Sequence, residues 1–263
     1  MCGRYYRRSD KQKIAEAFHV AQVDDFALPP WDYNVAPTTN QPIIRNSRDT
    51  GQRELVLLRW GLIPFFTKSI TDVKGLSTIN ARAETVAKSP ATARPFKKRR
   101  CLVPPSGFYE WKRLDPKNKQ PFAFGLANGK MLAFAGLWDA WKEDSATIEA
   151  RIRLATERFI VKGTIGAEFD EALVKDMLDR EPKWLQSYTI ITTEANELMK
   201  PVHNRLPVIL HPSNFDRWLD RGETDRPPLD LLRPFPADKM EAHKANKAVG
   251  NARNNGPEML NSA

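Results

Sequence analysis

Residues 101–137 read CLVPPSGFYEWKRLDPKNKQPFAFGLANGKMLAFAGL. Within this stretch, aromatic and aliphatic residues concentrate in four short segments, 101–103, 107–112, 121–126 and 131–137, and turn-forming residues separate them. Short apolar segments divided by Pro, Gly, Asn and Asp are typical of antiparallel strands. The stretch therefore predicts an antiparallel sheet or barrel.

The chain on both sides of this stretch adds strands and short helices. Residues 55–60 and 188–192 are apolar runs of strand length. Near the beginning of the chain, Ser9 and Asp10 can cap a short helix that starts after residue 10. We find no internal repeat, no heptad pattern and no low-complexity block. We predict a single α+β domain that covers residues 1–263.

The composition indicates a folded protein with a polyanionic partner. Of 263 residues, 41% are hydrophobic, and seven Trp and thirteen Phe are available for a core. Lys and Arg total 41 against 32 Asp and Glu, which gives a net charge of +9 and favours nucleic acid as partner. We find no segment long and apolar enough to cross a bilayer, and expect no membrane partner.

The cysteines and histidines argue against a disulfide framework and a metal centre. Two cysteines are too few for a typical secreted disulfide scaffold, so we expect a reducing compartment. That compartment is the cytoplasm, with association to the nucleoid in a bacterium, or the nucleus in a eukaryote. None of the four histidines has a partner at metal-ligand spacing, and the chain has no Gly-rich phosphate loop, so we expect neither metal nor cofactor.

Cys2 directly follows the initiator Met1. Removal of Met1 leaves a cysteine with a free α-amine beside its thiol. An α-amine has a pKa of about 7.7 to 8.0, well below the ~10.4 of lysine, so it is a nucleophile near neutral pH. The thiol, with a pKa of ~8.5, is a second nucleophile. The two groups can add in turn to one aldehyde, giving an imine and then a five-membered thiazolidine ring. The alternative is an incidental terminal cysteine.

Three polar residues lie in apolar or rigid surroundings. Glu110 is flanked by aromatic rings that would desolvate a carboxylate and raise its pKa, although it is also compatible with a surface position paired with Lys112. His203 lies between two prolines, in a turn that either fixes the imidazole or leaves it solvated. Asn80 can cap the following turn or act as an oriented hydrogen-bond donor.

Seven short motifs together resemble one family. The chain is similar to the SRAP family, the SOS-response-associated peptidases, whose members shield abasic sites in DNA. Any one of the motifs is weak, but all seven occur in the family's order and cover most of the chain. They are CGRY at 2–5, YNVAP at 33–37, WGLIP at 60–64, INARAET at 79–85, GFYEW at 107–111, HNRLP at 203–207 and VGN at 249–251.

The resemblance implies a covalent mechanism. Mature Cys2 would form a thiazolidine with the ring-opened aldehyde of an abasic site in single-stranded DNA, and Asn80 would orient the reacting amine or sugar. Glu110 would shuttle protons, and His203 would assist sugar opening or reversal of the adduct. Lyase activity through the imine and autoproteolytic removal of Met1 are the further activities that the resemblance implies. We expect the protein to act as a monomer.

The resemblance also implies a twisted β-barrel with surrounding helices and a basic DNA-binding groove. Arginines would hold flanking phosphates without reading sequence. A pair of phenylalanines would act as a wedge that stacks on bases near the lesion, at about 1 to 3 kcal/mol per stacked base. The implied DNA-binding residues are Arg4, Arg82, Phe65, Phe66, Thr192, which supplies a small hydroxyl, and Asn34.

The sequence departs from the family pattern in three places. Phe65 and Phe66 stand where members often carry tryptophans, and Leu206 replaces a common methionine; both changes keep apolar bulk. Residues 144–186 form a longer stretch than a compact member has, and we interpret them as an inserted segment. We expect the Asn- and Gly-rich tail after about residue 251 to fray.

Three other functions remain compatible with the sequence. N-terminal-nucleophile glutamine amidotransferases also begin Met-Cys-Gly, and in them Cys2 would attack a glutamine amide; the resemblance to that family covers these first three residues only. A noncatalytic single-stranded-DNA-binding module would leave Cys2 passive. A peptidase acting on other proteins is the third possibility, suggested by the family's name.

Overall fold

A computed structural model describes residues 2–70, 73, 78–142, 184–222 and 226–262. Strands dominate this part of the chain, and the helices are short. The strands are β1 (Arg4–Arg7), β2 (Gln22–Val23), β3 (Asp32–Val35), β4 (Asn40–Asn46), β5 (Arg53–Trp60), β6 (Asn80–Arg82), β7 (Arg100–Val103), β8 (Gly107–Arg113), β9 (Lys119–Leu126), β10 (Phe134–Lys142), β11 (Trp184–Glu194), β12 (Arg205–Pro207) and β13 (Met240–Lys244); the helices are α1 (Lys11–Phe18), α2 (Ala93–Lys98) and α3 (Phe215–Leu219).

Five strands close into a barrel. Strands β5, β4, β7, β10 and β11 pair antiparallel in that order, and β11 returns to pair parallel with β5. Strands β6 and β12 pair with β11, and β2 pairs with β5. A second, fully antiparallel sheet has the order β13-β9-β8-β1-β3. The predicted α+β fold with a mostly antiparallel, barrel-like core is confirmed.

The barrel strands alternate between two cores because successive side chains of a strand point to opposite faces. In β5, Val56, Leu58 and Trp60 join the inner core, while Leu55 packs in the outer one. The outer core contains α1 and α3. The inner core also receives Phe108 and Phe124 of the second sheet, which are stacked at 5.2 Å between ring centroids, and it includes Cys2. The two sheets thus share the core in which Cys2 lies.

Asp10 caps helix α1 as predicted: its Oδ1 accepts a hydrogen bond from the backbone N–H of Lys13 at 2.9 Å. Ile14 and Phe18, four residues apart on one face of the helix, are buried, whereas Ala17 is exposed.

The predicted inserted segment, 144–186, falls almost entirely on residues 143–183, which lie outside the described residues; 184–186 begin β11. The tail after residue 251 contains a 3-10 turn, Pro257–Leu260, whose Met259 is buried beside Tyr6 and Tyr109. The single-domain assignment and the fraying of the tail stay predictions. Among the described helices, none has the length and apolar character that a membrane crossing requires.

Candidate active site

Cys2 lies just before β1, at the junction of the two sheets. In the antiparallel pairing of β1 with β8, Arg4 is opposite Tyr109. Continued by two residues, this register places Gly3 opposite Glu110 and Cys2 opposite Trp111. The Cys2 side chain is 1% exposed, and its Sγ donates weakly to the carbonyl of Arg4 at 3.9 Å. Burial, followed by the negative charge of Glu110, raises the pKa of the Cys2 thiol. The thiol is therefore held protonated until a base removes its proton.

Asn80 contacts Cys2 directly. Its Nδ2 donates to the Cys2 carbonyl at 2.8 Å, across 78 positions of sequence. Its Oδ1 is buried and accepts no hydrogen bond from the described residues. From the sequence, Asn80 could either cap the following turn or act as an oriented hydrogen-bond donor, and this contact matches the second role. A buried acceptor without a hydrogen bond destabilises the fold. A ligand with a donor group, such as the amine or hydroxyl of a reacting sugar, would therefore gain a favourable hydrogen bond to Oδ1.

Glu110 lies on β8 and is only 4% exposed. Its neighbours on the strand are Tyr109, which is buried, and Trp111, which is half-buried. Burial raises its pKa to about 7, against the lowering effects of the positive amino terminus of the chain and the backbone N–H of Trp111. This position differs from the surface pairing with Lys112 that the sequence also allowed. A carboxyl group with a pKa near 7 exchanges protons readily at neutral pH.

Glu110 should make the stability of the protein depend on pH. The pKa of Glu110 is about 7 in the folded state and 4.5 for the ordinary side chain. Between pH 4.5 and pH 7, the Glu110 carboxyl is therefore protonated in the folded protein and ionised in the unfolded protein. Stability is therefore highest below pH 4.5 with respect to this group and falls as pH rises toward 7, by at most about 3 kcal/mol. Urea unfolding at pH 5 and pH 8 should show a smaller pH difference for Glu110→Gln than for wild type. Equal differences in both proteins would contradict this prediction, and Glu258→Gln, at an exposed position, serves as the control.

His203 is half-buried in the turn before β12. Its Nδ1 accepts the backbone N–H of Arg205 at 3.0 Å. A neutral imidazole that accepts at Nδ1 carries its hydrogen at Nε2. Burial, and after it the positive amino terminus, lowers the pKa of His203. The ring is thus fixed as a neutral group with Nε2–H as a donor, rather than freely solvated.

Arg205 is a site residue that the sequence reasoning missed, although it stands in the quoted HNRLP motif. Its Nη1 and Nη2 donate to the Glu84 carboxylate at 2.6 and 3.0 Å, and Nη2 also donates to the Thr192 carbonyl at 2.5 Å. Thr192 is fully buried, with its hydroxyl donating to the Ala81 carbonyl at 3.3 Å. Arg205 thereby joins β12 to β11 and to the turn that follows β6, beside His203.

Arg4 and Asn34 bind each other and the chain near residue 250. Arg4 Nη1 donates to Asn34 Oδ1 at 2.6 Å and to the Val249 carbonyl at 3.0 Å. Asn34 is 4% exposed, and its Nδ2 lies within hydrogen-bond distance of the carbonyls of Val249, Asn251 and Asn254, at 3.2, 2.9 and 2.8 Å. This geometry gives Asn34 a structural role, in joining the YNVAP and VGN motifs. Its contact with DNA stays a prediction, as does the phosphate contact of Arg4.

The remaining predicted DNA contacts are exposed. Arg82 ends β6 opposite Thr192 in the parallel pairing with β11. Phe65 and Phe66 are 49% and 52% exposed and form an edge-to-face pair with 5.4 Å between centroids. The guanidinium of Arg94 lies 4.8 Å from the centre of the Phe65 ring. Exposed adjacent rings of this kind suit base stacking.

A buried pair of phenols lies beneath the site and was not predicted. The hydroxyls of Tyr5 and Tyr188 are 2.9 Å apart, and both rings pack against Trp60, at 5.0 and 6.4 Å between centroids. All three residues share the inner core with Cys2. The only sequence signal for this arrangement is the aromatic content of β1 and β11.

Candidate metal ligands are dispersed over the described residues. Cys2 and Cys101 are both free and buried, and no group of three or more His, Cys, Asp or Glu side chains in the described ranges is arranged to hold a metal ion.

Comparison with known proteins places these residues in a family context. The family model described as SOS response associated peptidase (SRAP) matches residues 1–252. The abasic site processing protein YoqW of Bacillus subtilis (strain 168) is 37% identical over 267 residues, covering 100% of both chains. The abasic site processing protein HMCES of Xenopus tropicalis is 29% identical over 255 residues, covering 87% of this chain and 65% of its own. A crystal structure of a protein from Bacteroides thetaiotaomicron shares the fold, with a TM-score of 0.73, 23% identity and full coverage of both chains.

Proposed function

This chain belongs to the SOS response associated peptidase family, and from that premise we propose that it processes abasic sites in DNA by forming a covalent adduct through Cys2. The relatives named for abasic site processing support the substrate class. The observation that carries the mechanism is the 2.8 Å hydrogen bond from Asn80 to the carbonyl of Cys2. Cys2 lies just before β1, which pairs with β8, the strand that carries the buried Glu110.

The reaction begins after Met1 is removed. The α-amine of Cys2 adds to C1′ of the ring-opened deoxyribose and forms a carbinolamine, which loses water to give an imine. The thiol sulfur then adds to the imine carbon while its proton reaches the nitrogen, which closes the thiazolidine. The net change is the loss of one water for each adduct. Asn80 orients the residue that carries both nucleophiles.

Glu110 is suited to both proton transfers. With a pKa of about 7, its protonated form can donate to the departing hydroxyl of the carbinolamine, and the resulting carboxylate can accept the thiol proton. The protonated thiol of buried Cys2 needs such a base. Imine formation therefore leaves Glu110 as the carboxylate that the following attack by sulfur requires.

The imine is also a branch point. β-Elimination of the 3′ phosphate from the imine would cut the strand, so we propose a lyase activity that competes with ring closure. We also propose that the peptidase character in the family name corresponds to removal of Met1 by the protein itself, since both reactions use groups next to Cys2.

His203 should act on the sugar rather than on the cysteine. Its Nε2–H lies on the other side of the ring from the Nδ1 contact with Arg205 and would donate a hydrogen bond to the sugar oxygen during opening. We expect His203→Ala to slow strand cleavage and adduct reversal by about 10², with equilibrium binding of undamaged DNA unchanged. The measurement is single-turnover cleavage followed on a denaturing gel. His211→Ala, at an exposed position, is the control; cleavage as fast as in wild type would remove His203 from the mechanism.

DNA binding is proposed to depend on charge and stacking. Arg82 would contact phosphates next to the lesion, and Phe65 with Phe66 would stack on neighbouring bases of a single strand. Phosphate contacts of this kind release counterions, so binding weakens as salt rises.

The proposal is tested by mass spectrometry of the intact protein. Purified protein should lack Met1 and, after incubation with a single-stranded oligonucleotide bearing one abasic site, should gain the mass of the oligonucleotide less one water. An oligonucleotide with a reduced abasic site has no aldehyde and should give no adduct. Protein that lacks Met1 and gains no mass with the lesion would refute the proposal, and release of ammonia from glutamine would favour an amidotransferase.

A further inference from the structure

A cleft of about 380 Å³ opens at one side of the barrel, and none of the site residues named above lines it. Arg45, Arg48 and Arg99 line it, together with Trp138 and Trp184. Trp138 is 6% exposed, whereas Trp184 is 54% exposed. A concave site that combines several guanidinium groups with an exposed aromatic ring is suited to a ligand with both phosphates and flat rings.

Two of these guanidinium groups pack against the ring of Trp138. Those of Arg45 and Arg99 lie 4.1 and 5.1 Å from the centre of the Trp138 ring. Arg45 Nε also donates to Glu54 Oε1 at 2.6 Å. Because these side chains are already ordered, little rotamer entropy remains to be lost when an anion binds.

Positive charge accumulates around this cleft. Burial, and after it the charges of Arg48, Arg94, Arg221 and Arg45, lowers the pKa of Arg99 to about 10. Like charges that lower one another's pKa oppose folding. An anion placed among them would relieve that repulsion.

Carboxylates compensate for part of this charge. Glu54 pairs with Arg45, Asp139 pairs with Arg99, and Asp49 also lines the cleft. Within the ranges that the structure describes, neither Arg48 nor Arg221 forms an ion pair. Guanidinium groups therefore outnumber the carboxylates, and the exposed Arg48 remains available to a ligand.

Helix α2 leads from the predicted wedge to the cleft. Arg94, in its first turn, lies over the exposed ring of Phe65, and Arg99, which follows its last residue, lines the cleft. We propose that the DNA strand flanking the lesion continues past Phe65 into this cleft, with a backbone phosphate beside Arg48 and Arg99 and a base stacked on Trp184. This inference rests on the proposed function, because it extends the path of the same strand.

The test is equilibrium binding of undamaged single-stranded oligonucleotides, which needs no covalent step. Fluorescence anisotropy with a 6-mer and a 20-mer of thymidine, across a salt series, should show tighter binding of the 20-mer by wild type. Arg48→Glu and Trp184→Ala should each weaken 20-mer binding by about tenfold and leave 6-mer binding within about twofold of wild type. Arg48→Glu should also reduce the slope of log affinity against log salt by about 0.7. Arg233→Glu, an exposed arginine in a different cleft, controls for net charge.

The outcomes separate the two proposals. Unchanged 20-mer affinity and salt slope in both variants, with wild-type behaviour of Arg233→Glu, would overturn the path through the cleft even if the covalent adduct forms. Binding of deoxyadenosine monophosphate that depends on Arg48, with 20-mer binding unaffected, would also overturn it and assign the cleft to a free nucleotide. Loss of 20-mer binding in the variants of a protein that forms no adduct would support the cleft and refute only the covalent function.

Discussion

Cys2→Ala is expected to eliminate the heat-resistant adduct with abasic single-stranded DNA. The substitution leaves the α-amine in place, since Met1 is also removed before alanine, but it removes the sulfur that closes the ring. The remaining imine hydrolyses on denaturation. We expect a loss of at least about 10³ in the yield of adduct on a denaturing gel, while DNA binding before reaction stays near wild type.

Two further experiments test the contributions of the Cys2 amine and the Cys2 thiol independently. Borohydride added during incubation should trap Cys2→Ala as a reduced amine, which would show that the amine alone reaches the aldehyde. An extension that leaves Cys2 internal removes the amine and should give no adduct with or without borohydride. Cys101→Ala is the matched control, because Cys101 is the other buried free thiol, and it should react as wild type does. A heat-resistant adduct formed by Cys2→Ala would refute the role of the thiol.

Gly107→Ala should unfold or strongly destabilise the protein. A Cβ at this position would lie 2.2 Å from the Tyr6 hydroxyl and 2.4 Å from the Phe124 carbonyl oxygen. The carbonyl cannot retreat without breaking the pairing of β8 with β9, in which Phe108 faces Phe124. Overpacking of this kind commonly costs 1 to 3 kcal/mol and occasionally more, and we expect at least about 3 kcal/mol here.

The measurement for Gly107 is the urea midpoint, followed by circular dichroism and tryptophan fluorescence. Gly250→Ala provides the control, since a Cβ there meets nothing within 4 Å; it should shift the midpoint very little. A Gly107→Ala protein as stable as wild type would mean that the contact between β8 and the Tyr6 ring is looser than the distances indicate.

The antiparallel core could be predicted from sequence because its strands carry their own pattern. Residues 107–112 and 121–126 are short, aromatic and separated by turn residues, and they form β8 and β9 as expected. Strand β4 was not predicted, since Pro42 and two flanking polar residues are unfavourable in a strand. In the barrel, burial of Ile43 and Ile44 outweighs that local preference.

The candidate site was predictable as a set of residues but not as a set of contacts. The resemblance to the family supplied Cys2, Asn80, Glu110 and His203, yet only the pairing of distant strands brings Asn80 to the Cys2 carbonyl. Arg205 was missed for the same reason, because its partners on β11 and after β6 are far away in sequence. Local patterns reveal which faces are apolar, whereas a polar side chain gives no sign of its partner.

The bonds that join Arg4 and Asn34 to carbonyls 249–254 have a consequence for biosynthesis. They connect the beginning of the polypeptide with a stretch that the ribosome makes more than 200 residues later. A nascent chain cannot form the hydrogen bonds of Arg4 and Asn34 to these carbonyls until that late stretch has emerged from the exit tunnel. Truncated translation products therefore lack this support and are left with an unanchored first strand.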